Sequence, residues 1–219
     1  PGESMLDLSS SVLISRILTL LIAFTAHEYA HGCVAELYGD DTPRLAGRLT
    51  LNPLSHLDPI GTLLLILFGF GWAKPVPINP EVIRRKSKAG VMIVSLAGPF
   101  SNFFLALVGA IPLRFLGVSP FTSSTTNIFP TLGQFLVEFI FLNLTLWLFN
   151  LLPFAPLDGE KVLEYLLPES AQPALASIRP YGIFILLALI YITPLLGFDL
   201  FANLIGVPVL NITRFLIGI

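Results

Sequence analysis

Apolar residues in this chain fall in long blocks broken by short polar stretches, a spacing that suits helices surrounded by apolar material on every side. A helix needs about 20 mostly apolar residues to cross the hydrocarbon of a bilayer. Four blocks reach that length, at roughly 10–38, 89–113, 131–152 and 174–193, and a fifth at about 199–217 carries Pro208. The block from Pro59 to Gly71 is apolar but short, as in a segment that dips into the membrane and returns or lies at its interface.

Two polar stretches have another period. Arg48, Leu49, Thr50 and Leu51 alternate as a short strand does, and the run from Gly71 to Pro80, GWAKPVPINP, holds too much Pro and Gly for a helix and suits an extended edge. The pattern predicts an all-α polytopic membrane protein of about five to six transmembrane helices. A short membrane-associated β-hairpin or re-entrant segment is expected between the first and second full spans. With no internal repeat or low-complexity linker, residues 1–219 read as one membrane domain. Pro1 to Ser4 precede Met5 and read as residues left by cloning. No cleavable signal peptide is expected, because the first apolar run continues into a charged motif.

Composition agrees: 54% of the residues are hydrophobic and 12% charged, with a mean hydropathy of +0.82, far from a soluble domain. The 18 prolines and 17 glycines fit a membrane, where neighbouring helices satisfy freed backbone groups. The basic run Arg84, Arg85, Lys86 and Lys88 lies between apolar blocks and reads as a cytoplasmic flank, which argues against nucleic acid as a partner. The single cysteine, Cys33, excludes an intramolecular disulfide, so packing or metal must brace the fold.

The candidate chemistry lies in His27-Glu28-Tyr29-Ala30-His31. Side chains four apart on a helix stand one above the other, so two imidazoles can grip one zinc ion while Glu28 leans to the adjacent side. Glu28 can then take a proton from water on the metal and move it to the leaving amine. Ionisable groups cost about 2.5–3.5 kcal/mol each near the bilayer centre, so three within one turn call for a compensating partner. Zinc wants a third protein ligand. Glu36 and Cys33 are rotated away from the histidine face. Asp158 closes the run NLLPFAPLDG, Asn150 to Gly159, where Pro153 and Pro156 break the helix; its other reading is an ordinary N-cap of a short helix. For Asp158 to meet the histidines, the first and third full spans must run the same way, so 59–71 should dip and return. Arg44, Arg48, Lys74, Arg84, Arg85, Lys86, Lys88, Lys161 and Arg179 then share one side against Arg114, which points the site toward the cytoplasm.

HEYAHG, GRLTLNPLSHLDPIG, GWAKPVPIN, SLAGPFSN and NLLPFAPLDG, in this order between about Thr25 and Gly159, resemble the site-2 protease family of intramembrane zinc metalloproteases, in its minimal form without PDZ or CBS domains. The resemblance implies that His27, His31 and Asp158 ligate one catalytic zinc ion and that Glu28 is general base and acid. It implies that Asn150 holds the substrate backbone or polarises its carbonyl; the other reading of Asn150 is a buried amide bonding a neighbouring helix. His56 reads as ordering its loop, Gly98 and Pro99 as allowing close helix approach, and Asn102 as tying helices together. Two positions depart from the family pattern. Ala155 stands where proline is frequent, and Glu160 puts another carboxylate near the metal.

The implied activity is hydrolysis of single-span membrane proteins at or within the bilayer, by a multi-pass protein of the plasma membrane whose site faces the cytoplasm. The stretch around Trp72, Lys74 and Val76 could receive an unwound substrate by strand addition. One rival is a transporter or metal carrier with an intramembrane ion path. Another is a membrane zinc peptidase that acts on soluble or lipidated peptides.

Overall fold

A computed structural model describes residues 10–61, 72–120 and 128–219. Four helices are long and apolar enough to cross a membrane: α1 (Ser10–Leu37), α3 (Gly90–Phe115), α4 (Leu132–Asn150) and α6 (Glu169–Leu195). Shorter helices lie between them, among these α2 (Pro80–Lys86) and α5 (Gly159–Leu166). The last element, α7 (Ala202–Ile217), is apolar but shorter than a span. The expected count of five to six spans is therefore corrected to four among the described residues. The 199–217 block forms this shorter helix, with the Asp199 side chain accepting from the Ala202 N–H at 2.7 Å at its start.

The expected hairpin is also corrected. Among the described residues its pairing amounts to one antiparallel bridge, Leu57 to Ala73, with the Lys74 N–H donating to the His56 carbonyl at 2.9 Å. Residues 48–51 form no strand. Side chains take the backbone groups instead: Thr50 Oγ1 accepts from the Asn52 N–H and Asn52 Oδ1 from the Leu54 N–H. The segment 72–79 is an extended strap, as its prolines require. Most of the 59–71 block lies outside the described residues.

In lipid, helices gain little by burying apolar surface against one another, so close packing of small residues must hold them. The buried face of α1 repeats every fourth residue as Ser11, Ser15, Thr19, Ala23 and His27, a small-residue track that seats α3 and α4 against it. On the far side, α3, α4 and α7 share a core of Ala106, Ala110, Leu113, Leu136, Ile140, Leu144, Ile205 and Val209. Large apolar side chains such as Leu18, Phe104 and Phe115 stay exposed, as a lipid-facing surface demands. The start of α4 is fixed by a capping box between Thr131 and Gln134.

At the C-terminal end of α1, Asp40 joins three pieces of chain. It is 1% exposed and accepts from the Thr42 N–H at 3.0 Å and the Asn79 N–H at 2.6 Å. It thereby ties the first span to the strap and to the start of α2. In the Asp40→Ala variant both amides lose their acceptor, at about 1–3 kcal/mol each. The expected outcome is a thermal unfolding midpoint several degrees lower in detergent, with helix content unchanged by circular dichroism at room temperature.

Candidate metal centre

His27 and His31 sit one turn apart on α1, and their rings meet edge to face with centroids 4.6 Å apart. Each ring is held through its Nδ1. His31 Nδ1 lies 2.7 Å from the Val94 carbonyl, which can only accept, so this nitrogen carries the proton. His27 Nδ1 lies 2.7 Å from Asn102 Oδ1. The orientation of that amide is fixed in turn. Asn102 Nδ2 donates to the Ala23 carbonyl and to Asn143 Oδ1, and Asn143 Nδ2 donates to the Phe139 carbonyl. These partners assign both tautomers. Neutral imidazoles held this way turn two Nε2 lone pairs toward each other, 3.0 Å apart.

Asp158 completes the cluster. Oδ2 lies 3.1 Å from His27 Nε2 and 3.3 Å from His31 Nε2, yet no hydrogen bond reaches this buried oxygen. Two lone pairs and a carboxylate oxygen at such distances repel one another unless a metal ion sits among them or one ring takes a second proton. Two ligands each about 2.0–2.1 Å from a tetrahedral ion are about 3.3–3.4 Å apart, close to the three separations here. The donor set therefore fits zinc. Asp158 occupies the N-cap position of α5, but its side chain makes no capping bond; the carboxylate is turned to the histidines.

Two glycines make the convergence possible. A Cβ at Gly98 would stand 2.3 Å from His31 Nε2 and 2.6 Å from His27 Nε2, so the α3 backbone itself floors the pocket. A Cβ at Gly159 would stand 2.3 Å from the Leu151 carbonyl and 2.4 Å from that of Leu152. The turn that carries Asp158 thus folds back on the end of α4 as closely as backbone allows. The sequence reading gave Gly98 and Asn102 only packing roles and left Asn143 and Val94 unnamed. A signal was present: Val94, Gly98 and Asn102 are spaced by four along one face of α3.

Glu28 lies in the same cavity of about 610 Å³, whose walls include Phe24, Trp72, Val76, Phe149, Asn150 and Leu186. Its Oε2 accepts from the Val76 N–H at 2.7 Å, so the strap holds the carboxylate. Asn150 reaches the cavity wall, and its Nδ2 donates back to the Leu146 carbonyl at 2.9 Å. His56, fully buried, lies apart from the cluster: Nε2 is 2.8 Å from the Thr50 carbonyl and Nδ1 is 3.5 Å from Arg48 Nη2. Arg48 in turn donates to the Lys74 carbonyl. Burial pulls the Arg48 guanidinium below its ordinary value, and the Glu28 charge pulls against that. Glu36 pairs with Arg44 instead. Glu160 faces Arg179 and Lys161, where the sequence reading had allowed it to bear on the metal.

Over 201 residues the chain is 42% identical to the protein of Bacillus subtilis (strain 168) named "Putative zinc metalloprotease YwhC", an alignment covering 90% of this chain and 86% of that one. Residues 118–193 match Peptidase family M50. The chain belongs to peptidase family M50, the site-2 proteases. Two further relatives carry the name "Putative zinc metalloprotease Rip2". The Mycolicibacterium smegmatis protein is 33% identical over 193 residues, covering 85% of this chain and 70% of that one. The Mycobacterium tuberculosis (strain H37Rv) protein is 30% identical over 200 residues, covering 90% and 74%. No solved structure matches with comparable significance. This M50 peptidase is thus a zinc metalloprotease with a multi-pass membrane fold. The family match contains Asp158 but not the histidines; the relatives' alignments, each over 85% or more of the chain, carry the identification.

Loss of a partner that orients a metal-bound histidine typically costs 10–100-fold in affinity. Asn102→Ala is expected to weaken zinc binding by about that factor, and Gly98→Ala, which puts a methyl group into the pocket, by more. Competition titration against a chelator checks both.

Proposed function

We propose that this M50 peptidase hydrolyses peptide bonds in the transmembrane segments of single-span membrane proteins, as in regulated intramembrane proteolysis. The observation that carries the reading is the convergence of His27 Nε2, His31 Nε2 and Asp158 Oδ2 in a cavity walled by spanning helices. These three residues would hold one zinc ion, which supplies Lewis acidity to a water and to the scissile carbonyl when bound. Glu28 accepts a proton from the attacking water and delivers it to the departing amine nitrogen. The Val76 N–H, bonded to one carboxylate oxygen, fixes the direction in which the other points. Asn150 stands on the wall with its amide available to a substrate carbonyl or backbone.

A peptide bond in a substrate helix is shielded by its own hydrogen bonds and must unwind locally before attack. The strap is suited to receive the opened segment, with a bias of its own. Lys74, Val76 and Asn79 donate inward, to His56, Glu28 and Asp40, while Pro75 and Pro77 have no N–H. A chain laid along the strap therefore meets carbonyl acceptors far more than donors. The cationic residues support a cytoplasmic site in the plasma membrane, since Arg44, Arg48, Lys74, Lys161 and the α2 run all lie at the metal end. A transporter role loses its ground, because the chain is a metalloprotease by family and the cluster has zinc-ligand chemistry.

Glu28→Gln is expected to keep stoichiometric zinc while cleavage of a reconstituted single-span substrate falls by about 10²–10⁴-fold. Asp158→Ala is expected to lose zinc. Metal analysis and gel-based cleavage in proteoliposomes decide both, beside a panel of water-soluble peptides. Full turnover of soluble peptides with no cut in membrane-embedded substrates would overturn the substrate class; cleavage retained by Glu28→Gln would overturn the assigned base.

A further inference from the structure

The histidines are aimed by hydrogen bonds, but Asp158 has no such partner at Oδ2. Its direction must come from the backbone of its turn. On one side that turn is wedged at Gly159 against α4. On the other it continues into α5, where the Lys161 N–H donates to the Asp158 carbonyl at 3.0 Å and the Glu160 N–H to that of Leu157 at 3.2 Å. Glu160 is 3% exposed, and a carboxylate so buried needs paired cations. Arg179 on α6 forks onto one of its oxygens, with Nε at 2.8 Å and Nη2 at 2.5 Å, and Lys161 closes on the other at 3.1 Å. Arg179 also reaches Glu164 at 2.8 Å, which Arg84 meets at 3.0 Å from α2.

The helix that carries Arg179 is otherwise loosely seated. Within its most apolar stretch 11% is buried, against 33–39% for the other three spans. Its ladder changes type on either side of Gly182–Leu187, with a 3₁₀ turn at Arg179–Tyr181 and a π turn at Ala188–Ile192. That middle piece places Ile183 and Leu186 on the cavity wall, and Gly182 packs so tightly that a Cβ would lie 2.0 Å from the Ala155 carbonyl.

We propose that Arg179, acting through Glu160, is a positioning residue for the Asp158 carboxylate, so that the seating of α6 on the cavity and the grip on zinc are coupled. The inference rests on Asp158 being a zinc ligand. Arginine suits the task because one guanidinium reaches Glu160 through two N–H groups and Glu164 as well, where lysine would offer a point charge. Whatever displaces α6, such as a substrate segment pressing on Ile183 and Leu186, then also shifts the third ligand.

The test is the rate at which zinc-loaded full-length protein in detergent releases its metal to a chromogenic chelator, with circular dichroism recording the fold. Arg179→Gln and Glu160→Gln are expected to release zinc about tenfold faster than the parent, and Arg179→Lys at an intermediate rate. Arg84→Ala, which touches the cluster through Glu164, is expected to release it at the parental rate. Release at the parental rate from Arg179→Gln, or from Arg179→Lys if the glutamine variant does not fold, overturns the coupling. So does equally fast release from Arg84→Ala, which would reduce the effect to general charge. Asp158→Ala separates the two layers. If it holds zinc like the parent, the ligand assignment fails; if it loses zinc while Arg179→Gln does not, the coupling alone fails.

Discussion

Two imidazole lone pairs and one carboxylate oxygen, brought within about 3 Å of each other among apolar helices, form the constraint on which the rest of this structure depends. In water such groups would be solvated apart. Here they are held together by backbone that approaches more closely than any side chain would allow, at Gly98 beneath the histidines and at Gly159 beneath Asp158. The arrangement repels itself unless positive charge sits among the three atoms, and its donor set and spacing fit zinc.

The polar groups that support the cluster follow from the same setting. A buried amide in lipid must spend every donor and acceptor within the protein. The chain from Phe139 through Asn143 and Asn102 to His27 does so, and in doing so fixes which ring nitrogen faces Asp158. The same amides join α1, α3 and α4, so the contacts that align the three inner helices also set the tautomer. Packing and chemistry are not separable at this point of the fold.

Around this rigid centre the protein places two less regular elements. The strap is extended because its prolines lack N–H donors and push the residue before each toward extended backbone, and its Val76 N–H supports Glu28. The outer helix closes the cavity from the lipid side through few contacts, with its charged end fastened to the turn that bears Asp158.

Much of this was legible in the residues. Block lengths located the four spans to within a few positions, since the thickness of the hydrocarbon imposes a length on the sequence. The HEYAH spacing located both histidines because helical geometry alone puts side chains four apart on one face. Asp158 was reachable from chain direction, but position and composition are the same for a cap and for a member of the cluster; in the structure its side chain makes no capping bond and lies 3.1 and 3.3 Å from the two histidine Nε2 atoms. The strand expected at 48–51 gave way to side-chain caps, because alternation in sequence is silent about which backbone groups find partners. Glu160 looked like a further carboxylate for the metal until Arg179, nineteen residues on, claimed it. What the sequence determined, then, was whatever depends on period and length along one element. What the tertiary structure decided was the pairing between elements, because close approach and hydrogen-bond direction arise only when separate segments meet.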